Sequence, residues 1–210
     1  KFGLGKPLES DLSTENGGFI PTSDYYSRLY KTDNWRSTYI ISVGIGQGEL
    51  QLTTLQMANL AAILANQGHY YAPHLIKQFS KTNQTIPERF RTKIEIPIHK
   101  KYYEPVINGM ELAVSSGTAT LAYNPEISIC GKTGTSQNPH GEDHSVFFAF
   151  APKINPKIAI AVYVENAGWG GAIAAPIASL IIEKYLKGKI ARIELEEKMK
   201  KKDLIKKDKT

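Results

Sequence analysis

Apolar residues recur at helical spacing in three segments of the chain. The first, TTLQMANLAAILANQG, begins with a threonine pair that can cap a helix and ends at Gly68, which we expect to supply a left-handed stop. Apolar side chains surround most of this segment, which predicts a helix buried on more than one side. Two further helices are predicted over residues 102–115 and 172–186.

The second and third predicted helices carry clear positional signals. The second has Val106, Met110 and Val114 at helical spacing and is expected to end at Ser116-Gly117. The third reads AIAAPIASLIIEKYL and places Pro176 near its first turn, where the missing N–H of a proline does least harm.

Three β-rich runs lie between these two helices. They are Ile127–Cys130, Ser145–Ala151 and Lys157–Glu165. The last two are joined by PKINP, which is too short for a crossover helix, so they should pair as an antiparallel hairpin. The order of elements predicts an α+β fold in which helices cover an antiparallel sheet.

The segments outside these elements are less regular. Residues 1–50 are rich in Gly, Pro, Ser, Asp and Tyr, and we predict a long structured loop with short elements. Loops of this length usually carry function or belong to a larger fold. After the first helix, YYAPHLIKQFS is predicted to be extended and KTNQTIPERFRTK to be a polar connection.

The positive charge of the chain is concentrated at one end. Of the net charge of +6, residues 187–210 hold ten Lys or Arg against five acids, or +5, which leaves +1 for residues 1–186. A basic groove across the body is therefore not supported, and no nucleic acid is predicted as a partner. The tail is interpreted as a solvated helical end, with contact to an anionic lipid or polymer as the alternative. The length fits one globular domain plus this tail.

The sequence around Lys132 admits two interpretations. A phosphate-binding loop needs a glycine five residues before Gly131, but Glu126 stands there and the intervening residues are typical of a strand. The glycines at 44–48 likewise lack the spacing of a dinucleotide-binding loop. A strand edge with a small residue instead favours an extended peptide, and Lys132 beside two threonines favours one that ends in a carboxylate.

Two other candidate chemistries are weaker. Among five histidines, His140 and His144 are the only close pair, and their Gly-containing turn favours a loop role over metal binding. Cys130 has no adjacent His and lies in an apolar run, which favours a buried structural thiol over a nucleophile. We predict neither a metal nor another cofactor.

KTGT after an apolar strand resembles the third motif of the penicillin-binding, active-site-serine acyltransferases. Further blocks agree in order and spacing with the class B penicillin-binding proteins, most closely with the elongation-type enzyme, penicillin-binding protein 2. These blocks are Gly46-Gln47-Gly48 with Leu52–Gln56, Ser116–Ala119, Phe148–Pro152, and Gly168–Gly171 with Ala175-Pro176. The resemblance covers about residues 1–186.

The resemblance implies the fold shared by penicillin-binding transpeptidases and serine β-lactamases, incomplete at its N-terminal side. Residues 1–186 would be the C-terminal part of a transpeptidase domain, and residues 187–210 a basic tail. The activity implied is peptidoglycan D,D-transpeptidation, in which a serine forms an acyl-enzyme with one stem peptide and an amine of another accepts the acyl group.

The resemblance also assigns roles to residues. Lys132 and Thr135 would be catalytic, the first through its charge and the second through its backbone N–H as an oxyanion donor. The residues implied in substrate binding are Lys132, Thr133, Gly134, Thr135, Gly117, Thr118 and Trp169. Gly117 and Thr118 could instead be only a helix stop, and Trp169 only a packing aromatic.

The nucleophile of such an enzyme has no counterpart in these residues. No serine is followed by Lys three positions later, as the Ser-x-x-Lys motif requires. Ser136-Gln137-Asn138 matches Ser-x-Asn in letters, but it comes directly after Thr135 on the same segment and could not face it. The opening Phe2–Pro7 resembles the segment just after the Ser-x-Asn motif of the family. We therefore expect the nucleophile upstream of Lys1 and no activity from this chain alone.

The implied partners are a stem peptide ending in D-Ala-D-Ala, β-lactam antibiotics, and a membrane glycosyltransferase of the elongation machinery. The implied location is the periplasmic face of the bacterial inner membrane, with an N-terminal anchor that these residues do not include. Two alternatives stay open: a β-lactam-sensing or hydrolysing relative, and a non-catalytic scaffold.

Overall fold

A computed structural model describes residues 1–79 and 85–204. They divide into two compact units, one comprising Lys1–Gln56 with Tyr71–Ile94 and the other Met57–Tyr70 with the chain from Glu95 onward. The start of the predicted polar connection and the last six residues of the basic tail lie outside the described residues. None of the helices within the described ranges is long and apolar enough to cross a membrane.

The first unit contains the predicted long loop, which holds helices α1 (Ser23–Tyr30) and α2 (Ile41–Gly44). Thr22 caps α1 through its side chain, which accepts a hydrogen bond from Tyr25 N. The Tyr26 hydroxyl donates to Glu49 Oε2 at 2.9 Å, and burial raises the pKa of this phenol to about 12. The prediction of a structured loop with short elements agrees with the structure, because α1 and α2 are short and the chain around them is irregular.

Gln56 organises the loop from its centre. Its side chain is 1% exposed, and Nε2 donates to the carbonyl groups of Gly3, Lys6 and Gly17 at 2.7–3.1 Å. Gln56 N also donates to Thr53 Oγ1 while Gln56 Oε1 accepts from Thr53 N, which forms a capping box at the start of α3 (Thr54–Ala65).

Two residues with positive φ end α3. They are Gln67, at 53°, and Gly68, the predicted stop, at 112°. Gly68 N donates to Ile63 O at 2.9 Å, which closes the helix. A side chain at Gly68 would meet the Tyr103 hydroxyl 3.1 Å from its Cβ, so close approach is a second reason for glycine.

Strands β1 (His69–Tyr70) and β2 (Ile94–Glu95) are short and precede α4 (Tyr103–Ser115). Helix α4 occupies the predicted range. Val106 is 48% exposed, and the buried residues are Tyr103, Ile107, Met110 and Val114. Ile107 lies on the buried side with Met110 and Val114, because it also fits the helical spacing to both of them.

The sheet has the order β3-β4-β5, formed by Cys130–Ser136, His144–Ala151 and Ile158–Val164. The β4–β5 hairpin is antiparallel, as predicted. The first strand begins at Cys130 instead of Ile127, because its pairing with β4 runs from Cys130 opposite Phe150 to Ser136 opposite His144. The predicted strand Ile127–Cys130 was therefore misplaced, although Ile127 and Ile129 are buried in the core.

Helix α5 (Ala174–Lys187) covers one face of the sheet. Its alanines 174, 175 and 178 and Ile182 share a core cluster with Phe147 and Ala149 of β4. Pro176 lies in its first turn, as predicted, and Gly188 ends it with φ of 74°.

The chain beyond α5 is held against the second unit. Arg192 Nε donates to Glu183 Oε2 at 2.8 Å, and Ala191 N donates to Glu183 Oε1 at 3.0 Å. The Arg192 guanidinium also reaches Tyr123 O and Ser179 Oγ. Helix α6 (Ile193–Lys200) comes next. The described part of the tail thus contains a helix, as predicted, but its start is bound to α5 and is not merely solvated.

Candidate active site on strand β3

Strand β3 carries the Lys132–Thr135 motif and lies at the edge of the sheet formed by the described residues. Its partner strand β4 places Phe148 opposite Lys132 and Ser145 opposite Thr135. Because neighbouring residues of a strand point to opposite faces, Thr133 and Thr135 share the face of Phe147 and Ser145. That is the face on which α5 packs.

Lys132 presents a positive charge at the surface of this strand. Its side chain is exposed, and Nζ donates to the backbone carbonyl of Thr133 at 2.8 Å. Gly131, just before it, packs on the Phe147 ring, where a Cβ would lie 2.8 Å from a ring carbon. A glycine before the lysine thus lets β3 approach the core while the lysine stays in water.

The end of α4 meets β3 through two hydroxyl groups. Thr118 Oγ1 and Thr133 Oγ1 lie 2.9 Å apart, and either can be the donor. Gly117 turns the chain tightly over the last turn of α4, because a Cβ there would lie 2.8 Å from the Cα of Ala113. Gly117 therefore fits the interpretation that it ends the helix. The tight turn at Gly117 also places Thr118 next to β3.

The loop between β5 and α5 meets the same strand at Thr135. Gly170 N donates to Thr135 Oγ1 at 3.1 Å. The backbone of Gly170 lies directly on that of Gly134, since a Cβ on Gly170 would be 2.6 Å from the Gly134 carbonyl carbon. The neighbouring Trp169 is 59% exposed. Its ring lies against Gly171, where a Cβ would be 3.4 Å from a ring carbon, so packing in the loop and a place at the surface are both compatible with the structure.

This loop is tied to the β3–β4 turn by polar side chains. Asn138 Nδ2 donates to Asn166 Oδ1 at 2.8 Å, and Asn166 N donates to His144 Nδ1 at 3.0 Å. Gly168 N donates to Asp143 O at 2.8 Å. Asn138 thus binds residues of the turn and of the loop, and His144, the first residue of β4, accepts a hydrogen bond from that loop through Nδ1.

The structure brings the seven predicted site residues together on three segments, 117–118, 132–135 and 169–171. Sequence reasoning missed Ser145 and Gly170, which connect two of these segments. Ser145 is recognisable in the sequence only as the first residue of a predicted strand. Its position opposite Thr135 depends on the register between β3 and β4. Gly170, by contrast, could have been noticed in the glycine-rich block around Trp169.

The motif lies on an exposed wall. Cavities of about 380, 440 and 650 Å³ open elsewhere on the second unit, and Lys132–Thr135 line none of them. The described part of the chain presents this strand at its surface, with the Lys132 side chain exposed.

Cys130, the first residue of β3, belongs to the core. Cys130 is fully buried, and burial raises the pKa of its thiol to about 12, so it is a protonated core residue near neutral pH. Residues 1–79 and 85–204 contain no group of three or more His, Cys, Asp or Glu placed to hold a metal ion.

Comparison with known proteins agrees with this geometry. Residues 1–183 match the family model described as penicillin binding protein transpeptidase domain. The peptidoglycan D,D-transpeptidase MrdA of Haemophilus influenzae is 32% identical over 215 aligned positions, which cover 92% of this chain and 32% of that protein. The chain thus spans about a third of the length of this relative.

Solved structures give the same result. PBP2 of Pseudomonas aeruginosa, in complex with WCK 5153, is 33% identical with a TM-score of 0.75, over 91% of this chain and 42% of that one. A chain from a structure titled "Structural coordination of polymerization and crosslinking by a peptidoglycan synthase complex" is 27% identical with a TM-score of 0.75, over 90% and 32%. The family model, the relative and the solved structures agree with the mixed α+β architecture. The chain belongs to the penicillin-binding protein transpeptidase domain family, of the PBP2 type.

Proposed function

We propose that the chain supplies one wall of the active site of a peptidoglycan D,D-transpeptidase. The observation that carries the proposal is the edge strand β3, on which Lys132, Thr133 and Thr135 are joined by Thr118 and Gly170 in a chain of the transpeptidase family. The relative from Haemophilus influenzae bears the name of this activity. Residues 1–186 would form the C-terminal part of the domain, and residues 187–210 its basic extension.

The substrate we propose is a stem peptide ending in D-Ala-D-Ala, laid along β3 in an extended form. Lys132 supplies positive charge for the terminal carboxylate, and the hydroxyl groups of Thr133 and Thr135 are the proposed hydrogen-bond donors to it. The exposed Trp169 borders the same surface. β-Lactams, which carry a comparable carboxylate, would bind in the same way, and the family name supports this.

The oxyanion donor is proposed to be the backbone N–H of Thr135. The Lys132 ammonium binds Thr133 O, and we infer that this carbonyl points to the side of β3 away from β4. In an antiparallel pair the direction of the backbone groups alternates, so the N–H of Thr135, two residues on, points to that same side. A backbone donor of this kind is typically worth about 10²–10³ in rate.

The nucleophile must come from residues other than these 210, since none of their serines heads a Ser-x-x-Lys motif. Acylation would form an ester between that serine and the penultimate D-Ala and release the terminal D-Ala. The acceptor amine of a second stem peptide would then displace the serine and form the cross-link. Lys132 and Thr135 take part through charge and hydrogen bonding at the reacting carbonyl.

The proposed location is the periplasmic face of the inner membrane, where stem peptides are cross-linked, with the anchor in another part of the protein. The proposed partner is a membrane glycosyltransferase of the elongation machinery. This is supported by the neighbour whose title describes a peptidoglycan synthase complex that coordinates polymerization and crosslinking.

Covalent labelling with fluorescent penicillin tests the proposal. The full-length protein that contains this chain should become labelled, and the 210 residues alone should not. Lys132→Ala should slow labelling about 10–100-fold, the range for losing a charged hydrogen-bond partner. Lys157→Ala, which removes another exposed lysine at the β4–β5 turn, is the matched control and should label like the wild type.

Labelling of the 210-residue chain by itself would contradict the proposal, as would equal labelling of both lysine variants. The alternatives are separated by the product. Cross-linked stem peptides identify a transpeptidase, whereas rapid release of hydrolysed penicillin identifies a β-lactamase-like relative, and no labelling of the full-length protein identifies a scaffold.

A further inference from the structure

Both peptide groups of Gly170 are held by one cross-strand pair. Gly170 N donates to Thr135 Oγ1 at 3.1 Å, and Gly170 O accepts from Ser145 Oγ at 3.0 Å. Thr135 and Ser145 lie directly opposite each other on β3 and β4. The position of the loop that carries Trp169 therefore depends on the register between β3 and β4.

The Ser145 hydroxyl both donates and accepts a hydrogen bond in this arrangement. The oxygen accepts from Ala174 N, at the start of α5, at 3.0 Å. Its single proton is directed to Gly170 O, with Trp169 O at 3.2 Å as a neighbouring acceptor. Because Ser145 is fully buried, removing the hydroxyl leaves an amide and a carbonyl in the interior without this partner.

The contact at Thr135 links this loop to the proposed substrate site. The Gly170 N–H occupies an acceptor position of Thr135 Oγ1, and an accepted hydrogen bond makes a hydroxyl a better donor. A shift of Gly170 would therefore weaken the Thr135 hydroxyl as a hydrogen-bond donor, and it would also move Trp169. Gly170 itself can supply no side-chain anchor, because a Cβ would collide with Gly134.

We propose that Ser145 is a positioning residue of the site. It holds Gly170 on β3, and it thereby sets the orientation of the Thr135 hydroxyl and the location of Trp169 for a ligand that carries a carboxylate. The positioning of the loop stands on the hydrogen bonds alone, whereas the effect on ligand binding rests on the proposed function.

Hydrogen exchange tests the positioning in the full-length protein. Ser145→Ala should speed amide exchange in the segment 168–174 by about fivefold, the factor that one hydrogen bond of ordinary strength is worth. Ser179→Ala is the matched control: Ser179 is equally buried, and its hydroxyl contacts Pro176 O and Arg192 within and beyond α5. It should lower the melting temperature comparably and leave exchange in 168–174 unchanged.

Acylation by benzylpenicillin tests the effect on the ligand. For Ser145→Ala we expect the dissociation constant of the initial complex to rise about fivefold while the first-order acylation constant changes little, because the loop positions a ligand and does not react. Ser179→Ala should leave both constants as in the wild type.

Wild-type exchange rates in 168–174 of Ser145→Ala would overturn the proposal, and so would an equal acceleration in Ser179→Ala, which would indicate general destabilisation. The proposal would also be overturned if Ser145→Ala lowered the first-order acylation constant and left the dissociation constant unchanged. If the wild-type protein forms no acyl-enzyme, the proposed function fails, while the exchange comparison still decides whether Ser145 holds the loop.

Discussion

The hydroxyl oxygens of Thr118 and Thr133 lie 2.9 Å apart and join the end of α4 to the edge strand β3. Gly117 makes this contact possible by turning the chain over the last turn of α4. The backbone of Thr118 is also close to Gly171, where a Cβ would come too near the Thr118 carbonyl. Two loops that the sequence separates by about fifty residues thus both contact the motif strand, and they also contact each other.

Removing the Thr118 hydroxyl should weaken ligand binding more than stability. Thr118 is exposed, so Thr118→Val leaves the Thr133 hydroxyl in reach of water and should change the free energy of unfolding by less than about 0.5 kcal/mol. We expect an about fivefold higher dissociation constant for benzylpenicillin in the full-length protein, because Thr133 loses the partner that orients it. Thr120→Val, also exposed, is the control, and equal binding by both variants would contradict the role of Thr118.

Two glycine-to-alanine changes should have opposite effects. In Gly170→Ala the new Cβ would lie 2.6 Å from the backbone of Gly134, which cannot move without breaking the sheet, and we expect a loss of about 1–3 kcal/mol of stability. Gly109 lies in α4, where a Cβ would approach no atom outside the neighbouring backbone of its own helix within 4 Å, so Gly109→Ala should stabilise by about 0.5–1 kcal/mol. Chemical denaturation measures both, and a tolerated Gly170→Ala would show that the loop does not rest on β3.

Breaking the anchor of the C-terminal helix should be costly. Glu183 is 1% exposed and accepts from Arg192 Nε and Ala191 N, so Arg192→Ala leaves a buried carboxylate without its cation. We expect a loss of about 3 kcal/mol or more. Lys200→Ala breaks exposed ion pairs with Glu196 and Glu197 and should cost less than about 1 kcal/mol. Equal unfolding midpoints for the two variants would mean that the tail is only loosely attached.

Cys130 should make the folded protein sensitive to alkali. Burial raises the pKa of its thiol from 9.0 to about 12, so the folded state keeps a proton that the unfolded state releases. The stability that this provides is complete below pH 9 and is lost as pH rises towards 12. Cys130→Ala should therefore lose stability less steeply than the wild type over that interval in denaturation at stepped pH. Parallel curves would show that the thiol does not titrate in this way.

At neutral pH the same thiol should resist alkylation until the protein unfolds. Iodoacetamide added with and without denaturant measures the rate of modification, and fast reaction of the native protein would place Cys130 at the surface.

The sequence by itself determined most of the secondary structure and the site motif. The helical spacing located α3, α4 and α5 because their apolar residues recur with the period of a helix, and the short PKINP connection fixed the β4–β5 hairpin. KTGT and the blocks around Gly117 and Trp169 predicted the three segments of the candidate site. Their glycines could be noticed in the sequence because a close approach of two backbones requires small residues.

Tertiary structure decided what depends on register and on partners distant in sequence. The choice between Val106 and Ile107, the start of β3 at Cys130, and the burial of Glu183 against Arg192 all depend on packing against other elements, which local periodicity does not encode. The same holds for Ser145, because only the pairing of β3 with β4 places its hydroxyl opposite Thr135 and beneath Gly170. Composition and spacing name the residues of the site, and the three-dimensional register determines which atoms meet.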